Sequence, residues 1–263
     1  MSPEEILQQM GITPLWVLRG QDPAPVAEDG PGSEESAGTI ARTPEPPPAV
    51  AAGAAPEGEP RVPAGVPAPI LSLDWPGLEA AVSACRACVL CEKRQQAVLG
   101  VGDRNPDWLF IGEGPGAEED EQGEPFVGQA GKLLDAMLAA IDLERGRGVY
   151  IGNAVKCRPP GNRNPEAAEM AACHPYLERQ IQLLQPKLIV LLGRVAMHSV
   201  LGQDRPLGAM RGRRHEYLLD GRPIPVVVTY HPAYLLRNLP EKARAWEDLC
   251  FARRLLAEVR RGG

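Results

Sequence analysis

The segment WLFIGEGPG, residues 108–116, joins a continuous apolar run to a loop rich in glycine. Apolar runs without alternation predict strands that are buried on both faces, as in a parallel sheet covered by helices. Three more runs of this kind are VYIGNAV (149–155), KLIVLLG (187–193) and IPVVVTY (224–230). We therefore expect four buried strands.

Helical patterns separate or follow these runs. In residues 130–141, Leu134, Leu138 and Ile141 fall on one face of a helix. The other helical patterns cover residues 165–184, 194–201 and 241–260. Strands that alternate with helices indicate an α/β fold with a mostly parallel sheet. Such sheets carry their sites at the carboxyl ends of strands, so we expect function just after residues 112, 153, 193 and 230.

The N-terminal part of the chain has a different composition. Residues 21–70 contain 12 prolines and no aromatic residue, which predicts a disordered, acidic linker rich in Pro, Ala and Gly. Residues 1–20 before it form a short amphipathic peptide. Its residues 4–19 either pack back onto the chain's own domain or dock a protein partner, and the pattern leaves both open. The compact domain is expected over residues 71–263.

Composition excludes several classes of protein. No run of 18 apolar residues occurs, and the chain begins with acidic residues where a secretory signal would be basic and apolar. We expect neither a spanning helix nor export, and hence a cytoplasmic protein. Six cysteines in such a protein indicate metal or redox chemistry in preference to a disulfide scaffold.

Charge is distributed unevenly along the chain. Residues 145–263 hold 20 Lys and Arg against 10 Asp and Glu, a net charge of +10. This excess is typical of a surface that faces a polyanion, although arginines that merely solvate helices would give the same count.

Glycine-rich loops follow the first strand. Gly112-Glu113-Gly114-Pro115-Gly116 precedes an acidic run, and PFVG (125–128) comes after it. Glycines allow the backbone to approach a flat ligand closely, and Phe126 could stack on that ligand. An ordinary turn and an ordinary core phenylalanine are the simpler interpretations.

Two polar residues end other strands. Asn153 follows the second strand, and its amide offers a donor and an acceptor on one plane, which suits the edge of a base. His231 follows the fourth strand in HPAYLLRN. A turn-forming asparagine and a structural histidine remain alternatives.

The cysteines form the pattern Cys85-x2-Cys88-x2-Cys91, followed at a distance by Cys157 and Cys173. Four thiolates can hold zinc or an iron–sulfur cluster, and spacing alone favours zinc. Cys250 lies in the apolar register of the last helix and is expected to be an inert thiol.

Taken together, GEGPG with its trailing acids, PFVG, NAVKCRPPGNRNP, HPAYLLRN and the cysteine pattern resemble the family 4 uracil-DNA glycosylases, the iron–sulfur branch of their superfamily. The resemblance implies a three-layer α/β/α fold with a central four-stranded parallel sheet. It also implies a [4Fe–4S] cluster in place of zinc, held by Cys85, Cys88, Cys157 and Cys173. Cys91 makes a second C-x2-C, so Cys88 with Cys91 is an alternative pair.

The resemblance further implies a DNA repair enzyme that flips uracil out of DNA and hydrolyses its N-glycosidic bond. Phe126 would stack on the base, Asn153 would read it, and His231 would donate to the oxygen that gains charge. Glu113 and Glu119 match the family's motif acids, and either could orient water. Gly112 and Gly114 would line the substrate site, and Gly114 stands where a better-known branch has a catalytic aspartate.

Uracil-containing DNA is the implied partner, and we expect a monomer. The candidate DNA contacts are Lys156, Arg158, Arg163, Arg211, Arg213, Arg214, Leu235 and Arg237, with Tyr234 and Leu236 as further candidates to fill the gap left by a flipped base. Two other functions remain as alternatives, an iron–sulfur electron-transfer protein and a non-catalytic module that binds DNA or a partner.

Overall fold

The computed structural model describes residues 70–262 of the chain. The predicted peptide at residues 1–20 lies outside the described residues, and so does the predicted linker except for Ile70. Ile70 is buried and opens the 3₁₀ helix Ile70–Ser72. The packed part of the chain therefore includes Ile70, the last residue assigned to the linker.

Within residues 70–262, the centre of the fold is a six-stranded sheet in the order β1-β3-β2-β4-β6-β5. The strands are β1 (Val101–Gly102), β2 (Trp108–Gly112), β3 (Val149–Asn153), β4 (Leu188–Leu192), β5 (His215–Leu219) and β6 (Arg222–Thr229). The inner four run parallel, which confirms the four predicted strands. The predicted total of four was wrong, because β1 and β5 add antiparallel pairs at the two edges.

Helices cover both faces of this sheet. The α-helices of the described residues are α1 (Trp75–Ala84), α2 (Ala117–Gln122), α3 (Gln129–Ala139), α4 (Ala167–Leu184), α5 (Arg194–Leu201), α6 (Leu207–Met210), α7 (Pro232–Arg237) and α8 (Glu241–Gly262). Two more 3₁₀ helices are Val89–Glu92 and Pro160–Asn162.

The strands are buried on both faces because successive side chains point to opposite layers. Phe110 packs with α3 and α8 on one face, whereas Ile111 packs with α4 and α5 on the other. This arrangement confirms the three-layer α/β/α architecture. A third apolar cluster lies beside the sheet, where α1 packs against α4 around Val155 and Cys157.

The parallel strands end together at one edge of the sheet. Gly112 of β2 is level with Asn153 of β3, and Leu192 of β4 is level with Thr229 of β6. The backbone N–H groups of Ala154 and Val155 then donate to the carbonyls of Gly112 and Glu113, at 2.9 and 3.1 Å. The predicted functional loops therefore converge at this carboxyl edge.

The predicted helices exist with small shifts of their ends. The pattern at 194–201 matches α5, and those at 130–141, 165–184 and 241–260 correspond to α3, α4 and α8. Helix α4 begins two residues later than predicted because Glu166 is its N-cap in a capping box with Glu169. None of the helices within residues 70–262 has the length and apolar character that a membrane crossing requires.

Candidate active site

A cavity of about 500 Å³ opens at the carboxyl edge of the sheet. Its wall is built by the glycine-rich loop after β2, by the PFVG loop, by the loop after β3 and by α7. Glu113, Gly114, Phe126 and His231 line it. Of the predicted substrate-binding residues, Gly112 and Asn153 are not part of the lining.

Gly112 brings Phe126 and Asn153 together. A Cβ atom at position 112 would lie 2.4 Å from Cζ of Phe126 and 2.5 Å from Oδ1 of Asn153. Both distances are far below van der Waals contact, so the two side chains pack against the bare backbone of this residue. Glycine is therefore required here by close approach.

Asn153 is a buried polar residue whose side-chain oxygen, Oδ1, accepts no hydrogen bond from the described residues. Its side chain is 2% exposed. Buried polar atoms in native proteins are nearly always paired, so an orphan acceptor beside a cavity indicates a ligand that supplies the donor.

Phe126 is held in an unusual backbone conformation. Its φ of 58° lies in the left-handed region, which a bulky side chain rarely adopts. Arg145 stabilises this turn by donating to the carbonyls of Pro125 and Phe126. A Cβ atom on Gly131 would lie 1.8 Å from the Phe126 carbonyl oxygen, so α3 approaches the same turn closely. Arg145 and α3 therefore hold Phe126 in this strained conformation from two sides. Strained residues that are held in this way are typical of functional sites.

The imidazole of His231 stacks against Phe126, with ring centroids 5.4 Å apart and planes inclined by 30°. His231 is the N-cap of α7, where its Nδ1 accepts a hydrogen bond from the N–H of Ala233 at 3.2 Å. Burial, helped by the charge of Arg237, lowers the pKa of His231 from 6.5 to about 4. The ring is neutral at physiological pH and keeps Nε2–H as its donor.

The two candidate acids have different surroundings. Oε2 of Glu119 accepts from the N–H of Gly116 at 3.0 Å, and Oε1 accepts from Val127 and Gly128 at 3.0 and 3.1 Å. Glu119 thereby joins the two glycine-rich loops. The carboxyl group of Glu113 makes no hydrogen bond with the described residues, and burial raises its pKa. Of the two candidate acids, Glu113 is therefore the one with an unpaired carboxyl group at the cavity.

Four cysteines line a separate small cavity between α1, the loop after β3 and α4. They are Cys85, Cys88, Cys157 and Cys173. Cys91 is not part of this lining. All six cysteines of the chain are free thiols. No group of three or more His, Cys, Asp or Glu among the described residues is spaced to hold a single metal ion.

Cationic side chains surround these thiols. Arg94 donates to Sγ of Cys157 at 2.8 Å, and Lys156 also lines the cavity. Burial raises the pKa of Cys157, and raises that of Cys173 to about 12. Thiols this buried ionise only where positive charge compensates them. The four cysteines therefore suit a positively charged metal centre that binds them as thiolates. Cys250 lies apart from this cavity on α8.

Comparison with known proteins assigns the family. The model of the uracil DNA glycosylase superfamily matches residues 99–250. The chain belongs to this superfamily. The type-4 uracil-DNA glycosylase of Sulfurisphaera tokodaii is 45% identical over 162 residues, which make up 60% of this chain and 73% of that protein. The type-4 uracil-DNA glycosylase of Pyrobaculum aerophilum is 39% identical over 181 residues, or 67% and 92% of the two chains.

A type-5 uracil-DNA glycosylase of Pyrobaculum aerophilum is also similar, at 31% identity over 152 residues, 52% of this chain and 66% of that one. Identity is higher with the type-4 members of the superfamily, which confirms the resemblance drawn from the motifs. The matched range contains the strand ends, the cavity and two of the four clustered cysteines; Cys85 and Cys88 precede it.

Some predicted DNA contacts of this superfamily member lie at the cavity. Arg163 and Arg237 line it. Arg163 is also paired with Glu169 through two bonds of 2.7 and 2.8 Å, and Arg158 donates to Asn162 at 2.7 Å. Arg213 and Arg214 are exposed beside a third, more open cavity near the start of β5, and Arg214 pairs with Glu216.

The structure corrects three of the DNA contacts. Lys156 is 2% exposed and bonded within the protein, so its ammonium group is out of reach of a phosphate. Leu235 is 1% exposed in an apolar cluster with Tyr230, whereas Tyr234 and Leu236 of the same helix are exposed. Arg211 donates to the buried Asp248 and stacks on the ring of Tyr230, which leaves it a packing role.

Sequence reasoning also missed residues that support the site. Arg145 holds the Phe126 turn, Glu169 anchors Arg163, and Arg94 contacts a cysteine. Arg145 and Arg94 contact partners that lie 19 and 63 positions away in the chain, which no local pattern shows. The one available signal was the capping-box spacing from Glu166 to Glu169 at the start of α4.

Proposed function

We propose that this chain is a uracil-DNA glycosylase. It flips uracil out of DNA, hydrolyses the N-glycosidic bond, and leaves free uracil and an abasic site. The observation that carries this proposal is the unused Oδ1 acceptor of Asn153, packed with Phe126 against Gly112. Membership of the superfamily supports the same reaction.

Recognition of the base uses the aromatic ring and the amide. A base inside duplex DNA cannot reach the cavity, so it must be extruded first. The flipped uracil stacks on Phe126, and Asn153 pairs with the edge of the base that carries an N–H donor between two carbonyls. Oδ1 accepts from that N–H, which satisfies the acceptor left orphaned in the protein.

Departure of the base is assisted by His231. Negative charge develops on uracil as the glycosidic bond breaks, and a neutral imidazole donates a hydrogen bond from Nε2–H to the oxygen that gains it. The bond from Ala233 to Nδ1 keeps the ring in this tautomer. A preorganised donor of this kind contributes on the order of 3 kcal/mol to transition-state stabilisation.

The sugar and the attacking water require a carboxylate, and Glu113 suits this role best. It lines the cavity with no internal partner, while both oxygens of Glu119 accept backbone N–H bonds. Glu113 orients water and stabilises the positive charge that grows on the sugar. Glu119 keeps the two loops in register, and is a positioning residue.

Binding of the DNA backbone falls to arginines around the cavity. Arg158, Arg163 and Arg237 supply positive charge beside the entrance. Exposed apolar side chains on α7, Tyr234 and Leu236, fill the space that the flipped base leaves in the stack. Arg213 and Arg214 extend the basic surface towards β5.

A [4Fe–4S] cluster is the cofactor that the cysteine site fits. Cys85, Cys88, Cys157 and Cys173 would hold it, and their place in the lining of one cavity supports this set over the alternative pair with Cys91. When bound, the cluster would accept the four cysteine thiolates as ligands to its irons, and so would join the end of α1, the loop after β3 and α4. The residues proposed for the hydrolysis lie in or beside the other cavity, so an electron-transfer role would leave Asn153 and His231 without a task.

The deciding experiment measures uracil release. Purified chain is incubated with oligonucleotides that differ in one base, uracil or thymine, and alkaline cleavage at abasic sites is counted. We expect cleavage of the uracil strand alone, and a strongly reduced but measurable rate of cleavage in Asn153→Ala. Absence of cleavage by an iron-loaded, folded protein on both single and double strands would reject the proposal.

A further inference from the structure

Lys156 is fully enclosed in the protein, next to the residue that reads the base. Its Nζ atom donates to the main-chain carbonyl of Asn153 at 2.8 Å and to Oε1 of Gln180 at 2.6 Å. A buried ammonium ion is costly unless such acceptors are present. The proposed chemistry does not use Lys156, and a phosphate cannot reach it, so its burial has another purpose.

Gln180 anchors this lysine to the rest of the fold. It belongs to α4, and its Nε2 donates to the hydroxyl of Tyr150 at 2.9 Å and to the carbonyl of Leu99 at 3.0 Å. The ammonium group is thus fixed by a helix that packs on the sheet. Through its own backbone N–H, Lys156 also donates to Sγ of Cys173 at 3.3 Å.

The two oxygens of Asn153 differ in their hydrogen bonds. Its main-chain oxygen accepts from Lys156, whereas its side-chain Oδ1 has no protein partner. The lysine therefore restrains the backbone of Asn153 and leaves its amide available to a ligand. A restraint of this type holds a recognition group in place without competing for it.

We propose that Lys156 is a positioning residue for base recognition, whose buried ammonium group fixes the backbone of Asn153 so that the amide meets uracil in the correct place. The inference rests on the proposed function. It also makes the cysteine site and the base-reading amide parts of one hydrogen-bonded unit, joined through residues 153–157.

A double-mutant cycle tests the proposal in the iron-loaded, full-length chain. Lys156→Met keeps the apolar stem and removes the ammonium group. We expect kcat/KM on uracil DNA to fall on the order of 10- to 100-fold, as for a misplaced recognition group. In the Asn153→Ala background the same change should cost less than about twofold, because the group being positioned is gone.

A merely structural role predicts a different result. Equal losses in both backgrounds, or unchanged kcat/KM in a folded and iron-loaded Lys156→Met, would overturn the proposal. Lys187→Met is the matched control. It removes the same charge from a partly exposed ion pair with Asp107, just before the amino ends of β4 and β2, and should change kcat/KM little.

Hydrogen–deuterium exchange supplies a readout that does not depend on activity. Lys156→Met should speed exchange in peptides covering residues 149–157 and leave those of β4 unchanged. Faster exchange throughout the chain would count against a local restraint. This measurement decides the inference even if wild-type protein releases no uracil, an outcome that would reject only the proposed function.

If Lys156→Met does not fold or does not retain iron, Gln180→Leu carries the same test. It removes one acceptor of the ammonium group and keeps the positive charge beside the thiols. The same dependence on Asn153 is expected, with a smaller loss. Failure of both variants to fold with iron would assign Lys156 to folding and overturn the positioning role.

Discussion

The backbone N–H of Ala233 donates to Nδ1 of His231 across 3.2 Å, at the first turn of α7. A nitrogen that accepts a hydrogen bond carries no proton, so the neutral ring must hold its proton on Nε2. Protonation of Nδ1 would break this bond and place a second positive charge near Arg237. The helix cap therefore selects both the charge and the tautomer of the proposed donor.

The first prediction concerns pH. With a pKa lowered from 6.5 to about 4, His231 stays neutral as the pH falls through 6.5. We expect single-turnover excision to show no inflection from His231 near pH 6.5, and to show one only as the pH approaches 4. An inflection near 6.5 that disappears in His231→Ala would show that the ring titrates normally.

Replacement of His231 should affect chemistry more than binding. His231→Ala is expected to lower the rate of excision at least about tenfold while binding to uracil-free DNA barely changes, because the donor acts on charge that develops during the reaction. Single-turnover rates and DNA affinity measure the two effects. His174→Ala, on the exposed side of α4, is the control. Full activity of His231→Ala would remove the residue from the mechanism.

The two acids should separate into a catalytic and a structural role. Glu119→Gln replaces an oxygen that accepts backbone bonds, so we expect the free energy of unfolding to fall by about 1–3 kcal/mol. Glu113→Gln should lower turnover without this loss, because the native carboxylate is half-buried and unpaired. Denaturant melts and single-turnover rates of both variants make the comparison. Loss of stability in Glu113→Gln alone would reverse the assignment.

A methyl group at Gly112 should block recognition. The added carbon would overlap both Phe126 and Asn153, so we expect Gly112→Ala to lower kcat/KM by at least about tenfold through displacement of the two side chains. Gly208→Ala adds the same group in α6, where no atom lies within 4 Å, and should be silent. Equal kcat/KM for the two variants would contradict the packing at Gly112.

The cysteine site predicts which thiols bind iron. Cys157→Ala should lose the cluster and loosen the loop after β3, while Cys91→Ala should retain about four irons per chain, as expected for a [4Fe–4S] cluster. Iron analysis of the purified variants tests both. Iron loss in Cys91→Ala with retention in Cys85→Ala would restore the alternative ligand pair.

The inner sheet could be predicted because its strands are short continuous apolar runs separated by helical patterns, which is typical of buried parallel strands. The edge strands could not. β1 contains two residues, and β5 alternates in burial from a start at His215 that follows an arginine-rich segment. The arginines of that segment are also typical of a contact with nucleic acid, so the sequence carries no distinct signal for the short strand after them.

The position of a candidate-site residue was predictable where that residue lies at or just after the end of a strand, as Asn153 and His231 do. It was not predictable where side-chain type and environment disagree. Lys156 has the chemistry of a phosphate contact, and only its proximity to Gln180, 24 positions away in the chain, shows that it is internal. Leu235 differs from its exposed neighbour Leu236 only by the face of α7 that it occupies.

The unpaired Oδ1 of Asn153 implies a conflict between the stability of the protein and its proposed activity. A buried acceptor without a partner lowers the stability of the empty protein by about 1–3 kcal/mol. An apolar side chain that filled the same space would relieve that penalty and abolish recognition. Selection for thermal stability alone would therefore replace this asparagine. Its presence marks a position where the proposed binding of a base costs folding stability.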